Sequence, residues 1–244
     1  MNAPPKPDHA RCALFLDFDG VLVDIAPTPD AVRVAPGLPG LLQRLADRLQ
    51  GRLTVVSGRP VSQIDGFLDR MAPYAIGLHG AEGRGPDGAL RRLEAAPGLA
   101  AARAILRQAS TDHPGLLLED KGLALALHWR GAPELGDIAL GLAEQAQGAA
   151  GAALALQPGK MVVELKPADV SKGSALAALM AKPPFAGALP VMLGDDLTDE
   201  TAFRAAAQAG GSGILVGPER ETAAEYHLPD VKAVHAWLQA LADG

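Results

Sequence analysis

The stretch Cys12-Ala13-Leu14-Phe15-Leu16-Asp17-Phe18-Asp19-Gly20 decides the fold of this chain. Its apolar residues predict a short buried strand over residues 12–18, and acidic residues mark the end of that strand. Leucines at helical spacing over residues 38–50, and apolar runs over residues 52–56 and 74–78, continue the pattern. Strands that alternate with helices through short connections are typical of an α/β fold with a parallel sheet.

The pattern changes in the middle of the chain, where it predicts an inserted α+β domain. Gly85-Pro86-Asp87-Gly88 is a turn signal for a hairpin, and the short apolar segments on both sides of Asp120-Lys121-Gly122 are typical of antiparallel strands. The α/β alternation then returns. We therefore expect a core built from residues 1–83 and 167–244, and an inserted domain of residues 84–166.

Composition and charge exclude several classes of protein. The 244 residues are 48 % apolar and 20 % charged, so the chain is not disordered. Its net charge of −6 disfavours nucleic acid as a partner. The single cysteine, Cys12, excludes a disulfide within the chain and a cysteine zinc site. Because no apolar run is long enough for a signal peptide or a membrane span, we expect a cytoplasmic monomer without a membrane partner.

Acidic residues follow two predicted strands of the α/β pattern. Asp17 and Asp19 end the first strand, and Asp195 and Asp196 follow an apolar run over residues 190–193. Ligands of open α/β sheets bind outside the carboxyl ends of the strands, so these carboxylates converge if the two strands are neighbours. Such a cluster is costly without a cation, and Mg²⁺ binds carboxylates together with phosphate oxygens. The sequence thus predicts a magnesium-dependent phosphoryl-transfer site.

Phosphoryl transfer gives each residue of the predicted site a role. Asp17 would attack phosphorus and become an aspartyl phosphate, while Asp19 would protonate the leaving alcohol and then deprotonate the attacking water. Ser57 would donate a hydrogen bond to a phosphoryl oxygen, and Lys172, at the start of a predicted helix, would neutralise the phosphate and Asp17. Each residue alone is more often a cap, a turn residue or a solvated charge. Their joint placement at the ends of elements favours catalysis.

The order DxDG, Ser, Lys and GDD resembles the haloacid dehalogenase-type phosphatases. The resemblance implies a Rossmann-like parallel-sheet core with Asp17 as nucleophile and Asp19 as acid and base. It also implies that Mg²⁺ is held by Asp17, Asp195 and the backbone carbonyl of Asp19. Val21 stands where this family usually has Thr, but its side chain takes no part in the predicted chemistry.

Further motifs resemble those of the trehalose-6-phosphate phosphatases over nearly the whole chain. They are GLHGAEGR at residues 77–84, EDK at 119–121, HWR at 128–130, ELKP at 164–167, SKG at 171–173 and GDDLTDE at 194–200. Ser57-Gly58-Arg59 and the segment from Asp24 to Pro29 also match. The resemblance implies a C2-type cap and hydrolysis of trehalose 6-phosphate to trehalose and phosphate. It also implies a separate trehalose-6-phosphate synthase, because this chain has no room for one.

The same resemblance implies which residues bind the sugar phosphate. Glu119, Lys121 and Glu164 are expected to contact the glucose unit that is remote from the phosphate. The other residues expected at the substrate are Gly58, Arg59, His79, Glu82, His128, Arg130 and Asp196, with Asp199 in the outer shell of the metal. Spacing alone favours a different interpretation for His128, Arg130 and Lys166, as part of a solvated sheet face with cross-strand ion pairs.

Two alternatives stay open at this point. A related phosphatase acting on sucrose phosphate, glucosylglycerol phosphate or a phosphorylated mannosyl sugar would keep the core residues. It would be expected to lack the combination of Glu119, Lys121 and GDDLTDE. A non-catalytic sugar-phosphate sensor would be expected to have lost Asp17 or Asp19. A dinucleotide enzyme and a serine hydrolase are disfavoured, because no G-x-G-x-x-G leads from a parallel strand into a helix and no G-x-S-x-G is present.

Overall fold

Strand β1 (Cys12–Asp17) lies inside an eight-stranded sheet in a computed structural model that describes residues 1–26, 28 and 31–244. The other strands are β2 (Leu53–Val56), β3 (Tyr74–Gly77), β4 (Glu82–Arg84), β5 (Leu90–Arg92), β6 (Leu117–Asp120), β7 (Leu125–His128), β8 (Leu154–Gly159), β9 (Val162–Pro167), β10 (Leu189–Gly194), β11 (Ser212–Val216) and β12 (Tyr226–Leu228). The helices are α1 (Leu38–Arg48), α2 (Val61–Leu68), α3 (Leu99–Asp112), α4 (Gly136–Ala150), α5 (Lys172–Met180), α6 (Glu200–Gln208) and α7 (Val231–Asp243).

The chain divides into two compact units. One consists of Met1–Arg91 and Ser171–Gly244, and the other of Arg92–Val170. The expected inserted domain ran from residue 84 to residue 166. In the structure the smaller unit starts later, because the hairpin strands β4 and β5 extend the eight-stranded sheet.

The eight-stranded sheet has the order β12-β11-β10-β1-β2-β3-β4-β5 and is parallel from β12 to β3. Leu14 and Leu16 of β1 pack into a core with α1, α2 and α7, whereas Ala13 and Phe15 pack into a core with α5 and α6. Because both faces of β1 are covered by helices, the strand is an uninterrupted apolar run rather than an alternating one.

The strand register determines where the functional residues lie. β1 is hydrogen-bonded to β10 on one side, with Leu16 opposite Leu193, and to β2 on the other, with Asp17 opposite Val56. The carboxyl ends of these three parallel strands therefore meet at one edge of the sheet. The two strands with acidic ends are therefore neighbours, which was the condition for their carboxylates to converge.

The smaller unit, Arg92–Val170, is an antiparallel sheet of order β6-β7-β9-β8 with α3 and α4 on one face. Leu118, Leu127 and Val163 point toward these helices and belong to the hydrophobic core of the unit. The opposite face carries polar side chains, since Glu119 pairs with Ala126, which pairs with Glu164.

Two strands were not predicted, β8 and β12. The first lies in an alanine- and glycine-rich region, and the second is only three residues long. Both are edge strands of their sheets. They are stabilised by hydrogen bonds to β9 and β11, respectively, and their own sequences carry no clear strand pattern.

Among the residues that the structure describes, none of the helices combines the length and the apolar character that a bilayer crossing requires.

Candidate active site

The centre of the site is a buried lysine between two buried aspartates. Lys172 Nζ lies 2.7 Å from Asp17 Oδ2 and 2.7 Å from Asp199 Oδ1. The other oxygen of Asp17, Oδ1, accepts a hydrogen bond from the Phe18 N–H at 2.7 Å. The Asp17 carboxylate is therefore held on both oxygens, as expected for a group that must present one geometry to a ligand.

Local sequence explains how Lys172 reaches this position. It is the first residue of α5, and the preceding Ser171 accepts a hydrogen bond from the Ser174 N–H in a capping box. The helix thus begins beside Asp17, at the carboxyl end of β1, and its first N–H groups and positive dipole end lie there.

Asp195 follows β10 in a loop organised by Asp199. Asp199 Oδ2 accepts hydrogen bonds from the N–H groups of Asp195 and Asp196, both at 3.1 Å. The Asp195 carboxylate lies against Gly20, where a Cβ atom would stand 2.2 Å from Asp195 Oδ2. Gly20 also has a φ of +77°, so only glycine fits both its backbone and its neighbour.

Three carboxylates share this small space. Asp17, Asp195 and Asp199 each offer an oxygen, and the three oxygens lie within 4.8 Å of one another. Three carboxylates against the single Lys172 ammonium leave excess negative charge. Hard oxygen donors of this kind suit a divalent cation that prefers carboxylates, and the residues present therefore fit a metal ion.

The pKa values show the same imbalance of charge. Burial raises the pKa of Asp17, and the nearby Asp199 and Asp195 carboxylates raise it further, although Lys172 opposes them. Burial, followed by repulsion from Asp199, raises the pKa of Asp195 to about 7. Burial would lower the pKa of Lys172, but the two carboxylates that it contacts raise it. The lysine is therefore a permanent cation, and the carboxylates lack a full counter-charge.

Asp19 is bound by an arginine side chain. Its carboxylate forms two hydrogen bonds with Arg59, from Nε at 2.7 Å and from Nη2 at 2.8 Å. The Arg59 guanidinium also lies near the rings of Phe18 and Phe67, at 5.6 and 5.4 Å from their centroids. Asp19 and Arg59 are thus brought together at the edge, and two aromatic rings orient the arginine.

Ser57 and His79 meet at the ends of the next two strands. Ser57 is 1 % exposed and its Oγ accepts a hydrogen bond from the Arg59 N–H at 3.1 Å. The His79 N–H donates to the Ser57 carbonyl at 3.0 Å, and the imidazole lies against Gly58. His79 is buried and has a φ of +56°, and the preceding Leu78 has a φ of +51°. Such strain in non-glycine residues is common at functional sites.

Two predicted substrate residues have clear structural contacts. Glu82 is buried, and its Oε1 accepts a hydrogen bond from the Val61 N–H, at the first turn of α2. The exposed Asp196 accepts from the Leu197 N–H and caps the short 3-10 turn Leu197–Asp199. Both residues therefore bind the first N–H groups of a helix or a helical turn.

The remaining predicted substrate residues lie in the smaller unit. On the polar face of its sheet, His128 Nε2 lies 3.0 Å from Glu119 Oε2, and Lys121 Nζ lies 3.3 Å from Glu164 Oε1. The hydrogen bond from His128 lowers the pKa of Glu119, although burial opposes it. Lys166 on the same face donates to the Val170 carbonyl, and Arg130 lies in the exposed turn after β7. Two acid–base pairs thus stand side by side on one surface.

Two residues have contacts that the sequence did not signal. Asp199, which was expected in the outer shell of the metal, is fully buried and binds both Lys172 and the backbone of Asp195. Phe67, next to Arg59, was not predicted at all, because a phenylalanine in a helix has no local signal for such a contact. Of the matching segment that starts at Asp24, Pro27 and Pro29 lie outside the described residues.

Comparison with known proteins identifies relatives of this chain. The trehalose-phosphatase family model matches residues 15–232. A probable trehalose-phosphate phosphatase from Sinorhizobium fredii is 42 % identical over 236 residues, covering 96 % of this chain and 89 % of the relative. The trehalose-6-phosphate phosphatase of Escherichia coli is 38 % identical over 233 residues, covering 95 % and 87 %.

A solved structure shares the fold. It is the C-terminal domain of the C. albicans trehalose-6-phosphate phosphatase, with a TM-score of 0.82 and 22 % identity, covering 96 % of this chain and 92 % of that one. The predicted α/β core with a parallel sheet and an inserted α+β domain is confirmed. Given the match of the family model over most of the sequence, the chain belongs to the trehalose-phosphatase family.

Proposed function

We propose that this protein hydrolyses the phosphate monoester of trehalose 6-phosphate to trehalose and phosphate. The observation that carries the proposal is the buried contact between Asp17 and Lys172, beside Asp195 and Asp199. A nucleophilic carboxylate, a permanent cation and an excess of acidic oxygens are the groups that phosphoryl transfer through an aspartyl phosphate needs. The substrate is inferred from the names of the relatives.

In the proposed reaction, a carboxylate oxygen of Asp17 forms a bond to phosphorus as the bond from phosphorus to the sugar oxygen breaks. Asp19, in its protonated form, gives its proton to that sugar oxygen. It then takes a proton from the water that attacks the aspartyl phosphate, which releases phosphate and restores Asp17. Lys172 keeps Asp17 oriented and neutralises charge, and Ser57 donates to a phosphoryl oxygen. Asp19 must leave Arg59 to act, since both of its oxygens are engaged there.

The proposed cofactor is Mg²⁺, held by Asp17, Asp195 and the backbone carbonyl of Asp19. When bound, it neutralises the charge of the phosphoryl oxygens. Asp199 is placed to orient this set, because it binds the backbone N–H of Asp195 and the Lys172 ammonium at the same time.

We further propose that residues 92–170 form the domain that selects the sugar. Glu119, Lys121 and Glu164 would bind sugar hydroxyls, for which paired carboxylates and amines are suitable donors and acceptors. His128 would fix Glu119, and Arg130 would extend the same surface. In the larger unit, the residues proposed to line the substrate site are Gly58, Arg59, His79, Glu82 and Asp196.

The cellular setting is also part of the proposal. A separate glycosyltransferase must make the phosphorylated disaccharide that this chain consumes. A cytoplasmic monomer is consistent with a chain whose single cysteine, Cys12, is buried.

The test is phosphate release from trehalose 6-phosphate, sucrose 6-phosphate, glucose 6-phosphate and an aryl phosphate, each with Mg²⁺ and with a chelator. We expect a magnesium-dependent preference for trehalose 6-phosphate, abolished in Asp17→Asn although the variant stays folded. Glu119→Ala should lose far more activity on the disaccharide phosphate than on the aryl phosphate. Preference for another sugar would overturn the substrate, and binding without release from any substrate would instead support a sensor.

A further inference from the structure

The turn that carries Lys121 joins β6 to β7. The Lys121 N–H donates to the Ala124 carbonyl at 3.0 Å, and the Gly122 N–H donates to Asp120 Oδ1 at 3.1 Å. Gly122 has a φ of +83°, which gives the turn its sharp reversal. Lys121 therefore lies between Asp120 and Gly122, and the positions of these two residues fix the Cα atom from which its side chain extends.

One arginine binds both of these flanking residues. Arg103 of α3 donates from Nε to Asp120 Oδ2 at 2.8 Å and from Nη2 to Asp120 Oδ1 at 3.3 Å. The same Nη2 donates to the Gly122 carbonyl at 2.9 Å. A planar guanidinium can hold a carboxylate and a carbonyl in a single fixed geometry, which lysine cannot do.

The two faces of the sheet separate this arginine from Lys121. Asp120 is opposite Leu125, a core residue on the helix side of the sheet. Lys121 extends to the other face, where it pairs with Glu164. The turn is thus fixed from the helix layer while its lysine is presented on the polar face.

The position of Arg103 suggests a role other than general stabilisation. The side chains of Arg103 and Asp120 are 24 % and 29 % exposed, and their bidentate pair holds the turn in one geometry in addition to any stability that it gives the fold. What the pair does provide is order, because a long lysine side chain starting from a mobile turn would lose more entropy on binding a ligand.

We propose that Arg103 is a positioning residue for substrate specificity, which places Lys121 for the sugar by fixing Asp120 and Gly122. This inference rests on the proposed function of Lys121. Arg103 does not touch the substrate and acts only through the turn. Arg107 on the same helix is the matched control: its side chain is 65 % exposed and it contacts Asp120 once, at 3.2 Å.

The first experiment compares Arg103→Gln and Arg107→Gln in the full-length enzyme. We expect Arg103→Gln to raise KM for trehalose 6-phosphate about tenfold, and Arg107→Gln to change it less than about twofold. Neither variant should change kcat/KM for the aryl phosphate. A parallel loss on both substrates, or an unchanged KM in Arg103→Gln, would overturn the proposal.

A double-mutant cycle with Lys121→Ala tests whether Arg103 acts through the lysine. In the Lys121→Ala background, Arg103→Gln should have no further effect on KM, because the group that it positions is absent. Effects that multiply would show that Arg103 acts independently of Lys121 and would overturn the mechanism.

Amide hydrogen exchange separates this proposal from the proposed function. Exchange at Lys121 and Gly122 should be faster in Arg103→Gln than in the unaltered protein, and nearly unchanged in Arg107→Gln. This readout needs no substrate. If the enzyme does not hydrolyse trehalose 6-phosphate, faster amide exchange in Arg103→Gln still shows that Arg103 orders the turn. Unchanged exchange would show that it does not, and would overturn the proposal.

Discussion

Gly20 shows how one residue limits the geometry of the aspartate cluster. Its φ of +77° is unfavourable for any residue with a Cβ atom, and that atom would overlap the Asp195 carboxylate. The turn after β1 and the loop after β10 therefore approach each other across a glycine. The closeness of Asp17 and Asp195 depends on the absence of a side chain at this position.

We expect Gly20→Ala to impair metal binding more than folding. The backbone conformation costs about 1 kcal/mol, while displacement of Asp195 should raise the Mg²⁺ concentration for half-maximal activity about tenfold or more. A magnesium titration of phosphate release, together with thermal denaturation, measures both effects. The control is Gly51→Ala, at a φ of +81° with no atoms within 4 Å of the added Cβ. An equal change in magnesium dependence in both variants would contradict the prediction.

At the scale of elements, Glu200 at the start of α6 ties three segments together. Its carboxylate accepts hydrogen bonds from Thr222 Oγ1 at 2.7 Å and from the Ala223 N–H at 2.8 Å, and it pairs with Arg220. Arg220 in turn donates to the Asp196 carbonyl at 2.9 Å. The segment after β11 thereby supports the loop that carries Asp195.

Glu200→Gln should lower the free energy of unfolding at pH 7 by about 1–3 kcal/mol. The amide carries no charge to strengthen these hydrogen bonds, and its NH2 group replaces one of the two oxygens that accept them. Burial alone would raise the pKa of Glu200, but hydrogen bonds from Ala223, Thr222 and Arg220 lower it. Since the folded pKa is below the unfolded one, this stabilisation is present above about pH 4.5 and is lost as the pH falls through the folded pKa.

Urea denaturation of both proteins at pH 7, 5 and 4 measures this effect. The difference between them should shrink at the lowest pH. Glu219→Gln is the control, because Glu219 lies in the same segment with a side chain that is 56 % exposed, and little change is expected. A difference that is constant with pH would show that the charge of Glu200 does not matter.

At the scale of the whole molecule, the protein has two hydrophobic cores in its larger unit and a separate one in Arg92–Val170. The clustered carboxylates of Asp17, Asp195 and Asp199 lie at the edge of the sheet in the larger unit. Without a metal ion, their mutual repulsion opposes the folded state. Stability of the whole protein should therefore depend jointly on pH and on magnesium.

We expect Mg²⁺ to raise the melting temperature more at pH 7.5 than at pH 5. Burial and then Asp199 raise the pKa of Asp195 to about 7 in the metal-free protein. Because this folded pKa is above the unfolded one, the stabilisation from the protonated form is present at low pH and is lost as the pH rises through about 7. Mg²⁺ offsets that loss by binding the carboxylates of the folded state.

Differential scanning calorimetry with Mg²⁺ and with a chelator at both pH values tests this prediction. Asp195→Asn provides the control, because it removes the titrating group and should reduce the pH dependence of the magnesium effect. The prediction is wrong if the increase in melting temperature is the same at the two pH values or larger at pH 5.

Much of this protein follows from local sequence pattern. The uninterrupted apolar run of β1 and the leucine spacing of α1 predicted which of their residues are buried. Each prediction used only the residues of the segment itself. The acidic strand ends also predicted that Asp17 and Asp195 lie close together. The edge strands β8 and β12 carry too weak a pattern, because their stability comes from a neighbouring strand.

The contacts that make these residues a site depend on packing between distant segments. The register of β1 with β10 brings Asp17 and Asp195 together, and the 3-10 turn Leu197–Asp199 before α6 places Asp199 beside Lys172. The hydrogen bonds from Arg59 to Asp19 and from Arg103 to the turn that carries Lys121 also join segments that are distant in the sequence. Periodicity records which face of an element is buried, but the distance between two side chains is set by how separate elements pack, and no local pattern encodes it.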